Sequence, residues 1–133
     1  MKVQKIMQEY SAAGPRFGGV VLDVEHTPRP GGGELLVSFG SYVQHEETYH
    51  PAARAGIEYF FGRYAPVHPG DLLVEVLGFH ELAGETTAAI ITYATVRALE
   101  EACQFGIDGV GFDAATGAVQ LPAAAGWAKQ QKT

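Results

Sequence analysis

Histidine and glutamate occur together in two short segments, and this combination can support metal binding or acid–base chemistry. The first segment is His45-Glu46-Glu47-Thr48-Tyr49-His50. A zinc-binding helix of the metalloprotease type needs histidines at positions i and i+4, so that both face the same way. Here the two histidines are five positions apart, and Pro51 places His50 at the entrance of a helix. The segment therefore predicts a solvated loop and a helix start, without a metal site.

The second segment places His80 beside Glu81, with Glu85 close behind. A histidine next to carboxylates titrates near neutral pH and can serve as a general acid or base. Because no nucleophile lies near these residues in the sequence, we expect a protein without catalytic activity, metal or cofactor. A small enzyme that uses His80 with Glu81 or Glu85 is the competing hypothesis.

Two other features of the sequence have a chemical and a structural interpretation. Gly31-Gly32-Gly33 would cradle a phosphate if it opened a helix, where N–H groups and the helix dipole converge. These glycines precede a predicted strand, so they indicate a hairpin loop. Cys103, the single cysteine, lies on an apolar helix face without a basic neighbour and indicates a buried structural thiol. The Gly-x-x-x-x-Gly-Lys-Ser/Thr motif of a GTPase is absent from the sequence.

The elements that position these residues follow from hydrophobic patterning. Alternating apolar side chains predict strands at 17–25, 34–42 and 71–79. Because residues 27–33 contain two prolines and three glycines, we expect a turn there that joins the first two strands into an antiparallel hairpin. Residues 110–113 and 118–121 predict a last hairpin, or one strand and a return.

Two helices are expected between these strands. The first begins near Pro51, with Thr48 or His50 as its cap, and Gly62 and Pro66 end it. The second runs from about residue 86 to 105, with a threonine at its N-cap and Gly106 after its C-terminus. The predicted fold is α+β: a mixed or antiparallel sheet with two helices on one face, in the order β-β-α-β-α plus a C-terminal β segment.

The bulk properties indicate one globular domain. The chain has 133 residues, of which 47% are hydrophobic and 18% charged, so we expect a single domain over 1–122 and a flexible tail over 123–133. No apolar run approaches the roughly 20 residues that span a bilayer, and the predicted location is the cytoplasm. The net charge of −6 counts against direct nucleic-acid binding. His26 and His68 adjoin prolines in loops and are expected at the surface.

The aromatic residues Tyr59, Phe60, Phe61 and Tyr64 follow one another along the first helix. One helix face buries Phe60 and one neighbour. The other side chains would then be exposed and could serve an interface, which would favour a homo-oligomer.

Five segments resemble, in order and spacing, the fourth domain of translation elongation factor G, here without the GTPase. Ser11-Ala12-Ala13-Gly14-Pro15-Arg16-Phe17-Gly18-Gly19-Val20-Val21 is similar to that family's first tip loop and first strand. The segment 47–57 is similar to its first helix start, and 71–79 to its third strand. Residues 86–94 and 100–102 match the beginning and end of its long helix.

This resemblance implies the sheet-and-two-helix fold shared with the second domain of a small-subunit ribosomal protein. In the elongation factor, two tip loops reach the decoding centre and touch RNA. The matching positions here are Ser11, Gly14, Arg16 and Phe17 in the first loop and His80, Glu81, Glu85, Thr86 and Thr87 in the second. The expected function is non-enzymatic binding of a ribosomal or translation-related partner through these loops. The alternative is an oligomeric interaction module that kept the fold and lost RNA binding.

Overall fold

A computed structural model describes residues 1–123 of the chain. The predicted tail from residue 124 onwards lies outside the described residues. The strands and helices, in chain order, are β1 Lys2–Ser11, β2 Gly14–Pro28, β3 Leu35–Phe39, α1 His50–Tyr64, β4 Gly70–His80, α2 Ala88–Cys103, β5 Gly111–Phe112 and β6 Val119–Gln120. A 3-10 turn, Glu47–Tyr49, leads into α1.

Within residues 1–123 the sheet has four strands in the order β1-β2-β4-β3, so the predicted hairpin of β2 and β3 is wrong. Strand β4 lies between them, antiparallel to β2 and parallel to β3. The crossover through α1 brings the chain back to the same end of the sheet, which makes β3 and β4 parallel. The loop over residues 29–34 spans the start of β4. A side chain at Gly33 would meet the Gly70 carbonyl group, because the loop passes directly over it.

Strand β1 was absent from the sequence-based prediction. It pairs with β2 along its whole length, from Lys2 opposite Asp23 to Ser11 opposite Gly14. Its side chains mix polar and apolar types on both faces, because it is an edge strand that is only partly covered. Without a clean two-residue alternation, the hydrophobic pattern carries no strand signal.

Both helices cover one face of the four-stranded sheet, which confirms the predicted α+β class. Helix α2 lies across β1 and β2, and α1 packs beside α2 and against β3 and β4. At Gly18 an added Cβ would come within 2.7 Å of Ile90, so α2 approaches β2 closely there. The strand residues that this face buries completely or nearly so are Val20, Leu22, Val24, Leu72, Val74 and Val76. Each such side chain contributes about 1.5–3 kcal/mol relative to exposure.

The helix ends match the prediction in part. The Thr87 hydroxyl caps α2 by accepting the Ile90 N–H at 3.2 Å. Among the residues that the structure describes, no side chain caps α1, so Thr48 and His50 are wrong as caps. The His50 ring lies 2.6 Å from the Val43 carbonyl oxygen. Helix α1 continues past Gly62 to Tyr64.

The C-terminus of α2 differs from the prediction as well, because Gln104, with φ of 50°, takes the left-handed position expected for Gly106. The Glu100 carboxylate holds this turn by accepting hydrogen bonds from the Ile107 N–H at 2.7 Å and from Arg97 at 2.9 Å.

Two predictions about aromatic and histidine side chains are settled by packing. Phe60 and Tyr64 are buried, as expected for Phe60 and one neighbour, while Tyr59 and Phe61 are half-buried. His26 is not a surface residue, because its ring packs edge-on against Tyr64 and its Nε2 atom is buried. Among residues 1–123, neither helix is long and apolar enough to cross a membrane.

Candidate binding site at the tip of the sheet

The two loops predicted as contact surfaces lie side by side at one end of the sheet, which we call the tip. The first loop is residues 11–17 and the second is residues 80–87. The Phe17 N–H donates to the Glu85 carbonyl oxygen at 3.0 Å, and the Thr86 hydroxyl donates to the Phe17 carbonyl oxygen at 2.6 Å. These two bonds join the loops into one surface.

The second loop is further ordered by its paired threonines. Thr86 Oγ1 also accepts the Leu82 N–H at 2.9 Å, which closes the loop on itself. Thr87 follows and caps α2. Because both hydroxyl groups are engaged within the protein, the threonines shape the loop and leave its exposed surface to Glu81 and neighbouring residues.

The first loop is a tight turn between β1 and β2. The Ser11 hydroxyl donates to the Gly14 carbonyl oxygen at 3.0 Å and accepts the Ala13 N–H at 3.2 Å. Gly14 has φ of 118°, a conformation that disfavours other residues. The half-buried Arg16 donates to the Pro15 carbonyl oxygen at 3.0 Å and stands opposite Glu9 in the β1–β2 ladder.

A third segment at the tip was missed by sequence reasoning. The turn between β5 and β6, residues 113–117, touches the first loop: the Ala12 N–H donates to the Ala114 carbonyl oxygen at 2.8 Å. The predicted C-terminal hairpin is confirmed by the pairing of Gly111 with Gln120 and Phe112 with Val119. Its position beside Ser11 depends on the fold, and no local pattern indicates it.

Two further side chains reach the second loop from other elements. The Tyr49 hydroxyl, at the start of α1, donates to Glu81 Oε2 at 2.6 Å. This bond, with help from burial and the Glu81 and Glu46 charges, raises the pKa of Tyr49 to about 12. His80 Nε2 lies 3.2 Å from the Gln4 side-chain oxygen on β1. Glu81 and His80 are therefore each bonded to a side chain from another element.

The tip is acidic. The carboxylates of Glu81 and Glu85 stand on the second loop, and those of Glu46 and Glu47 lie before α1. Arg16 is the single lysine or arginine in the two loops. Acidic groups near phosphates reduce binding, whereas they favour a cationic partner. Among residues 1–123, no three His, Cys, Asp or Glu side chains are grouped to hold a metal ion.

Fold and tip together define a two-layer α+β domain with an exposed, acidic loop surface at one end. No protein-family model matches the chain, and no curated protein matches it. Among solved structures, it resembles a crystal structure of a protein from Thermus thermophilus, with a TM-score of 0.57 at 14% sequence identity. The match covers 75% of this chain and 15% of that chain. At this identity the likeness concerns the fold alone.

Proposed function

We propose that the protein is a non-catalytic binding domain related to the fourth domain of elongation factor G, and that its tip contacts a partner in the translation machinery. The observation that supports this proposal is the pair of hydrogen bonds between Phe17 and residues Glu85 and Thr86. The two segments that resemble the family's contact loops therefore present one continuous surface.

The partner that fits this surface is a basic protein segment of the ribosome. Glu81 and Glu85 outnumber Arg16 in the two loops, and the Arg16 guanidinium group already donates to a backbone carbonyl oxygen. Opposite charges across an interface favour association and raise its salt dependence. Bare RNA would meet mainly carboxylates here.

Charge reversal at the tip tests this proposal. We expect Glu81→Lys/Glu85→Lys to weaken co-sedimentation with ribosomes about tenfold or more, because ion pairs of up to about 1 kcal/mol each would be lost at the exposed Glu81 and the half-buried Glu85. The wild-type interaction should also weaken as salt is raised. Glu25→Lys/Glu34→Lys is the matched control, since it makes the same charge change at exposed positions away from the tip and should bind like the wild type.

Whether each charge variant strengthens or weakens ribosome binding distinguishes a basic protein partner from RNA. If Arg16→Glu weakens binding while the double lysine variant strengthens it, the tip contacts phosphate and a basic protein partner is excluded. If both variants and the control co-sediment equally, the tip is not the contact surface.

A further inference from the structure

Strand β3 has one unpaired edge. It ends the sheet and pairs with β4 on one side. The Leu72 N–H donates to the Glu34 carbonyl oxygen, and the Gly40 N–H to the Val76 carbonyl oxygen. In a parallel ladder alternate residues bond to the neighbour, so the backbone groups of Leu35, Val37 and Phe39 point away from β4. Within residues 1–123 these groups have no hydrogen-bond partner.

The two edges of the sheet are built differently. Strand β1 carries the charged residues Lys2, Lys5 and Glu9, which is how natural proteins prevent edge-to-edge pairing. Strand β3 reads Leu-Leu-Val-Ser-Phe and has no charge and no proline. Its Leu36 side chain is 56% exposed on the face of the sheet opposite the helices. The β3 edge is therefore open to an additional strand.

We propose that β3 pairs with β3 of a second copy of this chain, antiparallel and centred on Val37, to form one continuous eight-stranded sheet from two four-stranded ones. In this register Val37 faces Val37 of the second copy, and Leu35 faces Phe39. The three N–H and three C=O groups of each strand are then all satisfied by six hydrogen bonds. A strand whose free groups lie symmetrically about its middle residue complements itself.

The charges on the open sheet face favour contact between two copies at the β3 edge rather than at that face. A depression of about 410 Å³ lies on that face and is lined in part by Leu36, Leu73, Asp23, Glu25 and Glu75. Two copies packed face to face would bring these carboxylates together, which costs energy. Edge-to-edge pairing keeps the uncharged strands at the contact. It also extends the partly buried row of Leu35, Val37 and Phe39, which packs against the core.

The register leads to a paired test. Leu36 stands opposite Ser38 of the second copy, twice in the dimer. Leu36→Lys/Ser38→Lys therefore places lysines directly opposite each other, whereas Leu36→Lys/Ser38→Glu places opposite charges there. Directly opposed cross-strand pairs of like charge destabilise a sheet, and pairs of unlike charge stabilise it. We therefore expect the lysine–glutamate variant to dimerise more tightly than the double-lysine variant, with dimer Kd values that differ by roughly tenfold or more. Tyr42→Lys, at a 91% exposed position beyond the strand, should dimerise like the wild type.

Two measurements detect the β3–β3 dimer. Light scattering or sedimentation over roughly micromolar to millimolar protein, the range expected for a small interface, should show a dimer that grows with concentration. Amide exchange at Val37 and Phe39 should slow as the dimer forms, while Leu36 and Ser38, already bonded to β4, change little. Circular dichroism checks that each variant is folded.

A chain that stays monomeric at millimolar concentration, with constant exchange at Val37, overturns the proposal. So does a dimer in which the two charge variants behave alike. Protection of the edge that requires an added foreign protein would assign β3 to a different occupant and equally overturn it. These outcomes are independent of the tip, because no β3 residue belongs to either loop.

Discussion

At the residue scale, Tyr49 shows how one side chain connects separate elements. It ends the 3-10 turn before α1, its ring packs near Phe79 of β4, and its hydroxyl donates to Glu81. The bond holds a loop carboxylate in place and keeps the phenol protonated. The position of Glu81 within the acidic tip therefore depends on a residue that lies far away in the sequence.

The raised pKa of Tyr49 gives a prediction about pH. The folded protein keeps this proton to about pH 12, against an ordinary pKa of 10.0. The stabilisation is thus fully present below about pH 10 and is lost as pH rises through the folded value. We expect Glu81→Ala to move one tyrosinate absorbance transition down towards 10.0.

Glu85→Ala, which removes a nearby carboxylate without a bond to Tyr49, is the control for this titration and should leave the transition in place. Burial raises the pKa values of Tyr59 and Tyr64, and neither should respond to either variant. An unchanged titration in Glu81→Ala would contradict the proposed role of the bond.

At the element scale, α1 and α2 approach closely at Gly56. An added Cβ there would lie 3.0 Å from the Thr92 carbonyl oxygen and 3.0 Å from Thr95 Cβ. The Thr92 hydroxyl donates to the Ala52 carbonyl oxygen at 2.9 Å, which ties the two helices together at the same place. Gly56 therefore allows α1 and α2 to approach closely over the sheet.

Two substitutions on α1 should have opposite effects. Gly56→Ala overpacks the helix contact and should destabilise the protein by about 1–3 kcal/mol. Gly62→Ala makes the same chemical change on the same helix, but an added Cβ there meets no atom of residues 1–123 within 4 Å. It should stabilise the protein by about 0.5–1 kcal/mol, because alanine restricts the unfolded chain and favours helix. Urea unfolding measures the free energy of unfolding of both variants. Equal changes in that free energy would contradict a tight contact at Gly56.

At the scale of the whole molecule, the loop between β2 and β3 is attached to β4 at the end of the sheet opposite the tip. There the Asp71 carboxylate accepts a hydrogen bond from Arg29 Nε at 2.6 Å and one from the Glu34 N–H at 2.9 Å. Both partners belong to the loop that carries the chain across the start of β4. Asp71 thus holds the connection that allows β4 to lie between β2 and β3.

The pH dependence of stability tests this role of Asp71. The Glu34 N–H, and then Arg29, hold the pKa of the Asp71 carboxyl below its ordinary 3.8. Its stabilising contribution is therefore present above that value and is lost as pH falls through the folded pKa. We expect Asp71→Ala to lower the urea midpoint at neutral pH and to approach the wild type at strongly acidic pH. Asp108→Ala, an exposed control, should match the wild type throughout.

The sequence by itself determined the elements whose patterns are local. Strand β4, both helices and a threonine cap at the start of α2 follow from alternation, helical periodicity and capping chemistry within a few residues of each position. The two helices on one face of the sheet also follow, because each amphipathic element must bury its apolar side. The loop after β4 was predicted in the same way, whereas the first loop of the tip was predicted only from the family resemblance, because β1 carries no strand pattern.

Only the tertiary structure decided which elements became neighbours. Three features depend on contacts between residues far apart in sequence: the insertion of β4 between β2 and β3, the pairing of β1 with β2, and the bond from Tyr49 to Glu81. Local periodicity shows which face of an element is apolar, but it does not show which partner covers that face. The left-handed turn at Gln104 has the same origin, because the buried Glu100 carboxylate holds the chain that follows it.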